Sequence, residues 1–358
     1  EATDKFSVSL EGDWLNLTGQ VTWGTGLDVD LIDIIRAVKK GLKYVPLPNE
    51  TLGKIPDKLL KRIQDLLATA VVSKQGVKIR DINVQELEAF NLHEPFLHDL
   101  RSRVKLLNQA KTINMASTVP VPASLRANLR DYQVEGYQHF VRFSNMKWGM
   151  CLNDDMGLGK TIQSIAFLSY LKDNSIRMRA LVISPVSVMR NWGSEISKFA
   201  PSLRYIVYHG QDRSEKLLAP HDVLITSYSI LNNDIDVLKG IPWDVVIIDE
   251  AHHIRNIKSL KTQAVLQLKA KYRYALTGTL IQNSVKDLFP VFDFLNPGVF
   301  GTIHKFKADT SLVDSRLDRK QLKLISQKVS LFTLRRRKED VAKDLPERIE
   351  ETLFVEMS

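Results

Sequence analysis

The sequence predicts an α/β protein: a parallel sheet covered by helices on both faces, preceded by a small α+β segment. Downstream of residue 120, short apolar runs alternate with stretches of helical periodicity, which is typical of a buried parallel sheet. Upstream, alternating apolar and polar residues predict antiparallel strands, followed by amphipathic helices. The proline-rich run Val119–Pro122 predicts an extended linker, so we divide the chain into segments 1–120 and 121–358.

Composition narrows the class of protein. With 358 residues and 44% hydrophobic content, the chain can bury a large core in about two or three domains. Its formal charge of +9 suits a polyanionic partner without requiring one. The single cysteine, Cys151, allows no internal disulfide and favours a reducing compartment. Neither a membrane-spanning run nor a signal-peptide pattern is present, so we predict a cytoplasmic protein.

The sequence of the upstream segment predicts two strands followed by helices. Strands are predicted at residues 6–10 and 14–23, then a helix ending at Gly41 and a second helix beginning at Pro56. Residues 84–110 are predicted to continue as helix. The sequence does not decide between a regulatory, a docking and a bracing role for this small α+β segment.

Five apolar runs predict the strands of the downstream sheet: Trp148–Leu152, Leu181–Ser184, Val223–Thr226, Val245–Ile248 and Tyr274–Thr277. Because ligands bind at the carboxyl ends of parallel strands, the residues after each run are the candidate site.

The first run is followed by a glycine-bearing loop and then by a helical pattern. The predicted nucleotide-binding residues of this loop are Asp155, Met156, Gly157, Leu158, Gly159, Lys160 and Thr161. Backbone amides at the glycines would bind phosphate oxygens, Lys160 would reach the β- and γ-phosphates, and Thr161 would hold Mg²⁺. The usual pattern has Gly or Ala where this sequence has Asp154. Taken alone, the motif could also be a chance turn.

A second apolar strand ends in two acids, which removes most of that ambiguity. Asp249 can hold the water shell of Mg²⁺, and Glu250 can orient and deprotonate the attacking water. The two motifs together predict Mg²⁺ and ATP as the bound species, rather than a dinucleotide.

Further motifs identify the group of P-loop proteins that the chain resembles. They are Leu129–Gly136, Ser184–Trp192, Thr226–Tyr228, Asp249–Asn256, Leu276–Asn283, Asp293–Gly298 and Leu334–Val341. Over about residues 125–357 the chain strongly resembles the Swi/Snf group of superfamily 2 helicases. The resemblance implies that segment 121–358 is a RecA-like first motor lobe. Leu280 departs from it, since the family usually has proline there.

The resemblance also implies roles for particular residues. Gln133 would read adenine, and Thr277, Gly278 and Thr279 would couple nucleotide to DNA. The implied DNA contacts are Ser187, Arg190, Asn191, Trp192, Thr226, Arg255, Asn256 and Thr279. For Trp192, core packing is an equally good interpretation, and Arg255 could instead cap a helix. The basic run Arg335–Lys338 predicts a solvated face.

The implied function is ATP-driven translocation along duplex DNA by a bacterial, nucleoid-associated protein that displaces an unidentified protein cargo. A second RecA-like lobe is expected after residue 358. Because that lobe would supply arginines to the γ-phosphate, the chain alone is expected to be nearly inactive. Two alternatives remain, a nucleotide-gated DNA- or protein-binding module and an RNA helicase. Leu276–Thr279 reads Leu-Thr-Gly-Thr where an RNA helicase would have Ser-Ala-Thr, so duplex DNA is favoured.

Overall fold

The computed structural model describes most of the chain in two stretches, separated by residues 103–118. The described residues are 2–11, 14–24, 26–67, 70–73, 76–90, scattered positions over 92–102, 119–175, 177–210, 221–280, 284–301, 306 and 319–341.

The upstream segment folds around an antiparallel sheet. Its strands are β1 (Ala2–Glu11), β2 (Trp14–Trp23), β3 (Leu27–Asp30), β6 (Val71–Val72) and β7 (Val77–Arg80), and a separate hairpin is formed by β4 (Tyr44–Pro46) and β5 (Leu52–Lys54). The order β1-β2-β7-β6 places β2 in the interior of the sheet, and β3 pairs with the carboxyl end of β2. Leu15, Leu17 and Val21 of β2 are buried, as strand alternation requires.

Two helices belong to this upstream sheet. They are α1 (Leu31–Lys39) and α2 (Asp57–Leu66). Helix α1 ends before Gly41, whose φ of 76° is readily available only to glycine, as predicted. Helix α2 starts directly after Pro56 and buries Leu59, Ile63 and Leu66.

The helix predicted over residues 84–110 is corrected in part. Residues Asp81–Phe90 form 3₁₀ helix with a non-helical residue at Asn83. Val84, Leu87 and Phe90 are buried at a spacing of three, which places them on one side of a helix with three residues per turn. Residues 103–118 lie outside the described part of the chain.

The downstream segment is built on a seven-stranded sheet whose strands are all parallel. They are β8 (Met150–Leu152), β9 (Ala180–Ser184), β10 (Tyr205–Val207), β11 (Val223–Ser227), β12 (Trp243–Ile248), β13 (Ala270–Leu276) and β14 (Thr333–Leu334). Their order is β10-β11-β9-β12-β13-β8-β14. Each predicted apolar run overlaps one of these strands, and the sequence missed only the short outermost strands of this sheet, β10 and β14.

Helices accompany this sheet, as the α/β prediction requires. They are α3 (Asp131–Met146), α4 (Lys160–Asp173), α5 (Val186–Phe199), α6 (Tyr228–Asn233), α7 (Ile235–Leu238), α8 (Leu260–Gln267), α9 (Leu288–Leu295), α10 (Arg319–Leu331) and α11 (Lys338–Val341). Among the described residues, no helix is both long enough and apolar enough to cross a bilayer.

The upstream segment contacts the downstream one at the amino end of β8. The indole N–H of Trp148, two residues before β8, donates to Asp81 at 3.3 Å. Lys328 of α10 donates to the side chain of Asn83 at 3.0 Å. These contacts lie at the end of β8 opposite the predicted phosphate loop, so they leave that loop clear.

Candidate functional site

The glycine-bearing loop connects β8 to α4, as the sequence predicted. Gly159 precedes α4 with a φ of 76°, and a Cβ there would lie 2.6 Å from the Nε2 atom of Gln133. The backbone conformation therefore favours glycine, and a Cβ there would also displace the amide of Gln133. The ammonium group of Lys160 donates to the carbonyl oxygens of Asp154 and Asp155 at 2.8 and 3.3 Å. The helix N-terminus and the lysine cation thus face the same small volume, an arrangement that suits phosphate.

Gln133 reaches this loop from the start of α3. Its Oε1 accepts from the backbone N–H of Arg130 at 3.0 Å, and its Nε2 donates to the carbonyl of Leu158 at 3.3 Å. The predicted adenine-reading residue therefore contacts the phosphate loop itself, so the two parts of a nucleotide site are joined.

Asp249 follows β12 and is almost completely buried. Its Oδ1 accepts from the backbone N–H of Glu250 at 2.9 Å, and its Oδ2 accepts from the indole N–H of Trp192 at 2.8 Å. Burial raises the pKa of the carboxyl, while the hydrogen bond from Trp192 and the charge of Lys160 oppose that rise. The surrounding protein therefore offsets only part of the cost of burying a charge on Asp249.

This carboxylate and the hydroxyl of Thr161, at the start of α4, are both hard oxygen donors at the carboxyl edge of the sheet. Mg²⁺ prefers such donors, and it takes its remaining ligands from phosphates and water. The residues present thus fit the predicted ion, with Asp249 and Thr161 as the groups that would hold it.

Glu250 has a backbone conformation that is rare for its residue type. Its φ of 50° and ψ of 57° place it in the left-handed region. Such strained residues cluster at functional sites. Its Oε2 lies 3.2 Å from Nδ1 of His252, whose ring stacks on His253 at a centroid distance of 4.6 Å. Burial and the neighbouring His252 lower the pKa of His253.

The predicted coupling loop begins directly after β13, which lies between β12 and β8 in the sheet. The hydroxyl of Thr277 accepts from the N–H of Thr279 and donates to its carbonyl, both at 3.1 Å. A Cβ at Gly278 would lie 3.9 Å from the Lys160 ammonium nitrogen. The loop is therefore closed on itself and adjacent to the phosphate site. Residues 281–283, which complete its motif, lie outside the described residues.

Arg336 lies in a different environment from the one that the sequence predicted. The basic run Arg335–Lys338 predicted a solvated face, yet Arg336 is only 8% exposed. Its guanidinium pairs with both carboxylate oxygens of Asp154, which is fully buried, and it donates to Gln163 at 2.8 Å and to the Tyr132 carbonyl. The predicted solvated face is thus wrong at Arg336. This side chain is buried, and its charge is paired with Asp154 beside the phosphate loop.

The backbone around Arg336 continues this attachment. Strand β14 pairs with β8, and beyond it the N–H of Asp155 donates to the carbonyl of Arg336 at 3.1 Å. The Asp155 carboxylate in turn accepts from the N–H of Lys338 at 2.9 Å. The segment after β14 is therefore bonded along the phosphate loop, and Asp154 has a structural role that the generic motif did not predict.

Gly136 of α3 leaves room for this cluster. A Cβ at this position would lie 1.7 Å from Oε1 of Gln163 and 2.8 Å from Nη2 of Arg336. We expect Gly136→Ala to lower the free energy of unfolding by about 1–3 kcal/mol, because both side chains must move. Urea unfolding measures the loss. At Gly240 a Cβ has no neighbour nearer than 3.4 Å, so Gly240→Ala is the matched control, and an equal loss in both variants would contradict this account.

The predicted DNA contacts divide into two groups. The structure places Ser187, Arg190, Asn191, Arg255, Asn256 and Thr279 at the surface. Trp192 and Thr226 are instead fully buried, and they donate to Asp249 and to the carbonyl of Tyr208. Their burial disfavours the DNA contacts predicted for these two side chains, and for Trp192 the competing packing interpretation agrees with it.

Comparisons with known proteins identify the family of the chain. Residues 132–358 match the family model described as the SNF2-related domain. The chain is 32% identical over 306 residues to YwqA of Bacillus subtilis, covering 83% of this chain and 33% of that protein. It is 30% identical over 295 residues to the chromatin-remodeling ATPase INO80 of Lodderomyces elongisporus, covering 76% of this chain and 19% of that protein.

A solved structure extends the comparison to the fold. The Sulfolobus solfataricus SWI2/SNF2 ATPase core in complex with dsDNA superposes with a TM-score of 0.60 at 41% identity. The match covers 64% of this chain and 49% of that one. The chain thus spans half or less of the length of each of these relatives.

Proposed function

The chain belongs to the family of the SNF2-related domain, and from this we propose that it is the ATP-binding lobe of a DNA-dependent ATPase. In this proposal the motor translocates on duplex DNA and displaces or remodels proteins bound there. Residues 121–358 form the RecA-like lobe, and residues 1–120 form an accessory domain attached to its back. Action on chromosomal DNA implies association with the nucleoid in the cytoplasm.

The observation that carries the proposal is the convergence of two half-sites at one edge of the sheet. Lys160 and Thr161 follow β8, and Asp249 and Glu250 follow β12, with only β13 between these strands. Asp249 is close enough to Lys160 for the cation to affect its pKa. Phosphate binding and water activation are thus supported at neighbouring points of a single site.

Each side chain has a definite task in hydrolysis. Lys160 and the amides of the loop bind and orient the phosphates, and Gln133 orients the base. Mg²⁺, held by Thr161 and Asp249, would supply positive charge to the phosphate oxygens. Glu250 accepts the proton of the attacking water through its carboxylate, which His252 contacts from one side.

A second RecA-like lobe completes the catalytic arrangement in this proposal. In related phosphoryl-transfer proteins, arginines that reach the γ-phosphate contribute about 10³–10⁵ in rate. The length of the relatives, of which this chain spans 33% and 19%, supports a larger working unit. Residues 1–358 alone should therefore hydrolyse ATP barely or not at all.

Duplex DNA is the proposed track. Support comes from exposed polar and cationic residues that could contact the phosphate backbone of DNA without sequence preference. They are Ser187, Arg190, Asn191, Arg255 and Asn256. Further support comes from the Sulfolobus solfataricus relative, whose structure was solved with dsDNA.

ATP hydrolysis tests this proposal in a form of the protein that carries both lobes. We expect duplex DNA to raise ATP turnover at least about tenfold, because both lobes would bind the phosphates of one duplex and so close on the nucleotide. Single-stranded RNA should have little effect. The stimulation should weaken with added salt, since it depends on phosphate contacts. Turnover measured with and without each nucleic acid checks this.

The contradicting outcomes are specific. Stimulation by RNA alone would point to an RNA helicase. ATP-dependent DNA affinity without DNA-stimulated turnover would point to a nucleotide-gated binding module. Substantial DNA-stimulated turnover by residues 1–358 alone would contradict the proposed need for a second lobe.

A further inference from the structure

Two buried aromatic side chains donate hydrogen bonds to the same acidic residue. The indole N–H of Trp192 donates to Oδ2 of Asp249 at 2.8 Å. The hydroxyl of Tyr228 donates to the backbone carbonyl of Asp249 at 2.7 Å. Trp192 is 0% and Tyr228 3% exposed, so water does not compete for either bond. Asp249 is therefore held at its carboxylate and at its backbone by two different elements.

The first of these elements runs from the protein surface to the site. Helix α5 presents Ser187, Arg190 and Asn191 to solvent, and the next residue, Trp192, faces inward. A helix is stiff over one turn, so a shift of its exposed side displaces Trp192 as well. The same short segment thus carries the proposed DNA contacts and the hydrogen-bond donor to Asp249.

The second element adds a connection to Glu250. The ring of Tyr228, at the start of α6, lies 5.3 Å from that of His253, which stacks on His252. His252 contacts the carboxylate of Glu250 at 3.2 Å. Asp249 is therefore bonded to residues of the motifs Ser184–Trp192 and Thr226–Tyr228, and Glu250 contacts His252 of its own motif.

The hydrogen bond from Trp192 to Asp249 is expected to have a large effect on metal affinity and activity. A hydrogen bond to a buried carboxylate is stronger than one between neutral groups, and it fixes the orientation of that carboxylate. Loss of such an outer partner lowers metal affinity or activity by about 10–100-fold in characterised metal sites.

We propose that Trp192 is a positioning residue that transmits the seating of α5 on duplex DNA to the Asp249 carboxylate, with Tyr228 holding the backbone of the same residue. DNA bound at Ser187, Arg190 and Asn191 fixes α5, which fixes Oδ2 of Asp249 and raises turnover. This inference rests on the proposed function, and it adds the route by which the track controls the nucleotide site.

The test is Trp192→Phe, which keeps an aromatic ring and removes the N–H donor. Trp243→Phe is the matched control, because Trp243 is also buried, lies at the opposite end of β12 and donates its indole N–H to the carbonyl of Leu238 at 2.9 Å. Both variants are made in a form of the protein that carries both lobes.

Three quantities are measured for each variant: duplex affinity, the Mg²⁺ concentration for half-maximal binding of a fluorescent non-hydrolysable ATP analogue, and ATP turnover with and without DNA. Trp192→Phe should bind duplex as tightly as wild type, require about 10–100-fold more Mg²⁺, and lose most of the DNA stimulation. Trp243→Phe should match wild type in all three. Tyr228→Phe should shift the Mg²⁺ requirement in the same direction, and it serves as the second variant if Trp192→Phe does not fold.

Two results would overturn the inference. One is wild-type Mg²⁺ dependence and stimulation in both Trp192→Phe and Tyr228→Phe. The other is an equal loss in Trp243→Phe, which would indicate general weakening of the fold. If wild type itself shows no DNA stimulation, the proposed function fails, whereas the Mg²⁺ requirement still decides whether Trp192 positions Asp249.

Discussion

Arg336→Met is expected to lower the free energy of unfolding by about 3–5 kcal/mol, because the substitution leaves the carboxylate of Asp154 buried without its cation. Asp154 is 0% exposed, and Arg336 provides two of its contacts, one of them at 3.0 Å. The same substitution removes donors from Gln163 and from the Tyr132 carbonyl. Urea unfolding of residues 1–358 measures the change.

The neighbouring arginine provides the control. Arg337 is 63% exposed on its side chain and pairs at 3.1 Å with Glu339, itself 71% exposed. An exposed pair of this kind contributes about 0–1 kcal/mol, so Arg337→Met should be close to neutral. Replacing both Asp154 and Arg336 by apolar residues of similar volume should recover much of the stability lost in Arg336→Met. A loss below 1 kcal/mol in Arg336→Met would contradict the burial described for the pair.

Glu250→Gln is expected to reduce ATP turnover by about 10²–10⁴-fold while leaving nucleotide affinity within a few-fold of wild type. The amide keeps the size of the side chain but cannot accept a proton from water. Lys160, Thr161 and Asp249 are untouched, and they carry the predicted binding. DNA-stimulated turnover and binding of a fluorescent ATP analogue separate the two effects.

Glu339→Gln is the control for that experiment, since Glu339 is exposed and pairs only with the exposed Arg337 among the contacts described. It should leave turnover unchanged. If Glu250→Gln retained more than a tenth of the wild-type rate, Glu250 would not be the principal base, and another proton acceptor would have to be sought around Asp249 and His252.

Much of the downstream segment could be predicted because its signals are local. The strand cores around Leu181, Val223 and Val245 are continuous apolar runs, and chemistry-bearing residues follow where parallel strands end. The glycines of the phosphate loop indicate the positive φ angles that its backbone adopts. Local pattern therefore sufficed for the sheet and for the two half-sites.

What escaped prediction depends on distant partners. Arg336 is buried because it pairs with Asp154, which lies 182 positions earlier in the chain. A basic run by itself does not indicate such a distant partner. Strand β14 has two residues, too few for a periodicity. The direction of Trp192 was undecidable for a similar reason, since the motif gives its position in α5 but not the acid that its indole meets.

The role of residues 1–120 was left open by the sequence, and the structure narrows it. Asp81 and Asn83 bond to Trp148 and Lys328, which stand next to β8 and β14. These contacts of residues 1–120 therefore lie on the amino-terminal side of β8 and β14, opposite the phosphate loop and Arg336. A bracing role fits these contacts.

Displacement of a triplex-forming strand tests the translocase account most directly, because movement along a duplex removes that strand without separating the duplex. The protein in a form that carries both lobes is added to a duplex bearing a labelled third strand. We predict release with ATP and Mg²⁺, no release with Glu250→Gln or a non-hydrolysable analogue, and an intact duplex afterwards. DNA-stimulated hydrolysis without release of the third strand would contradict translocation and favour a nucleotide-gated binding module.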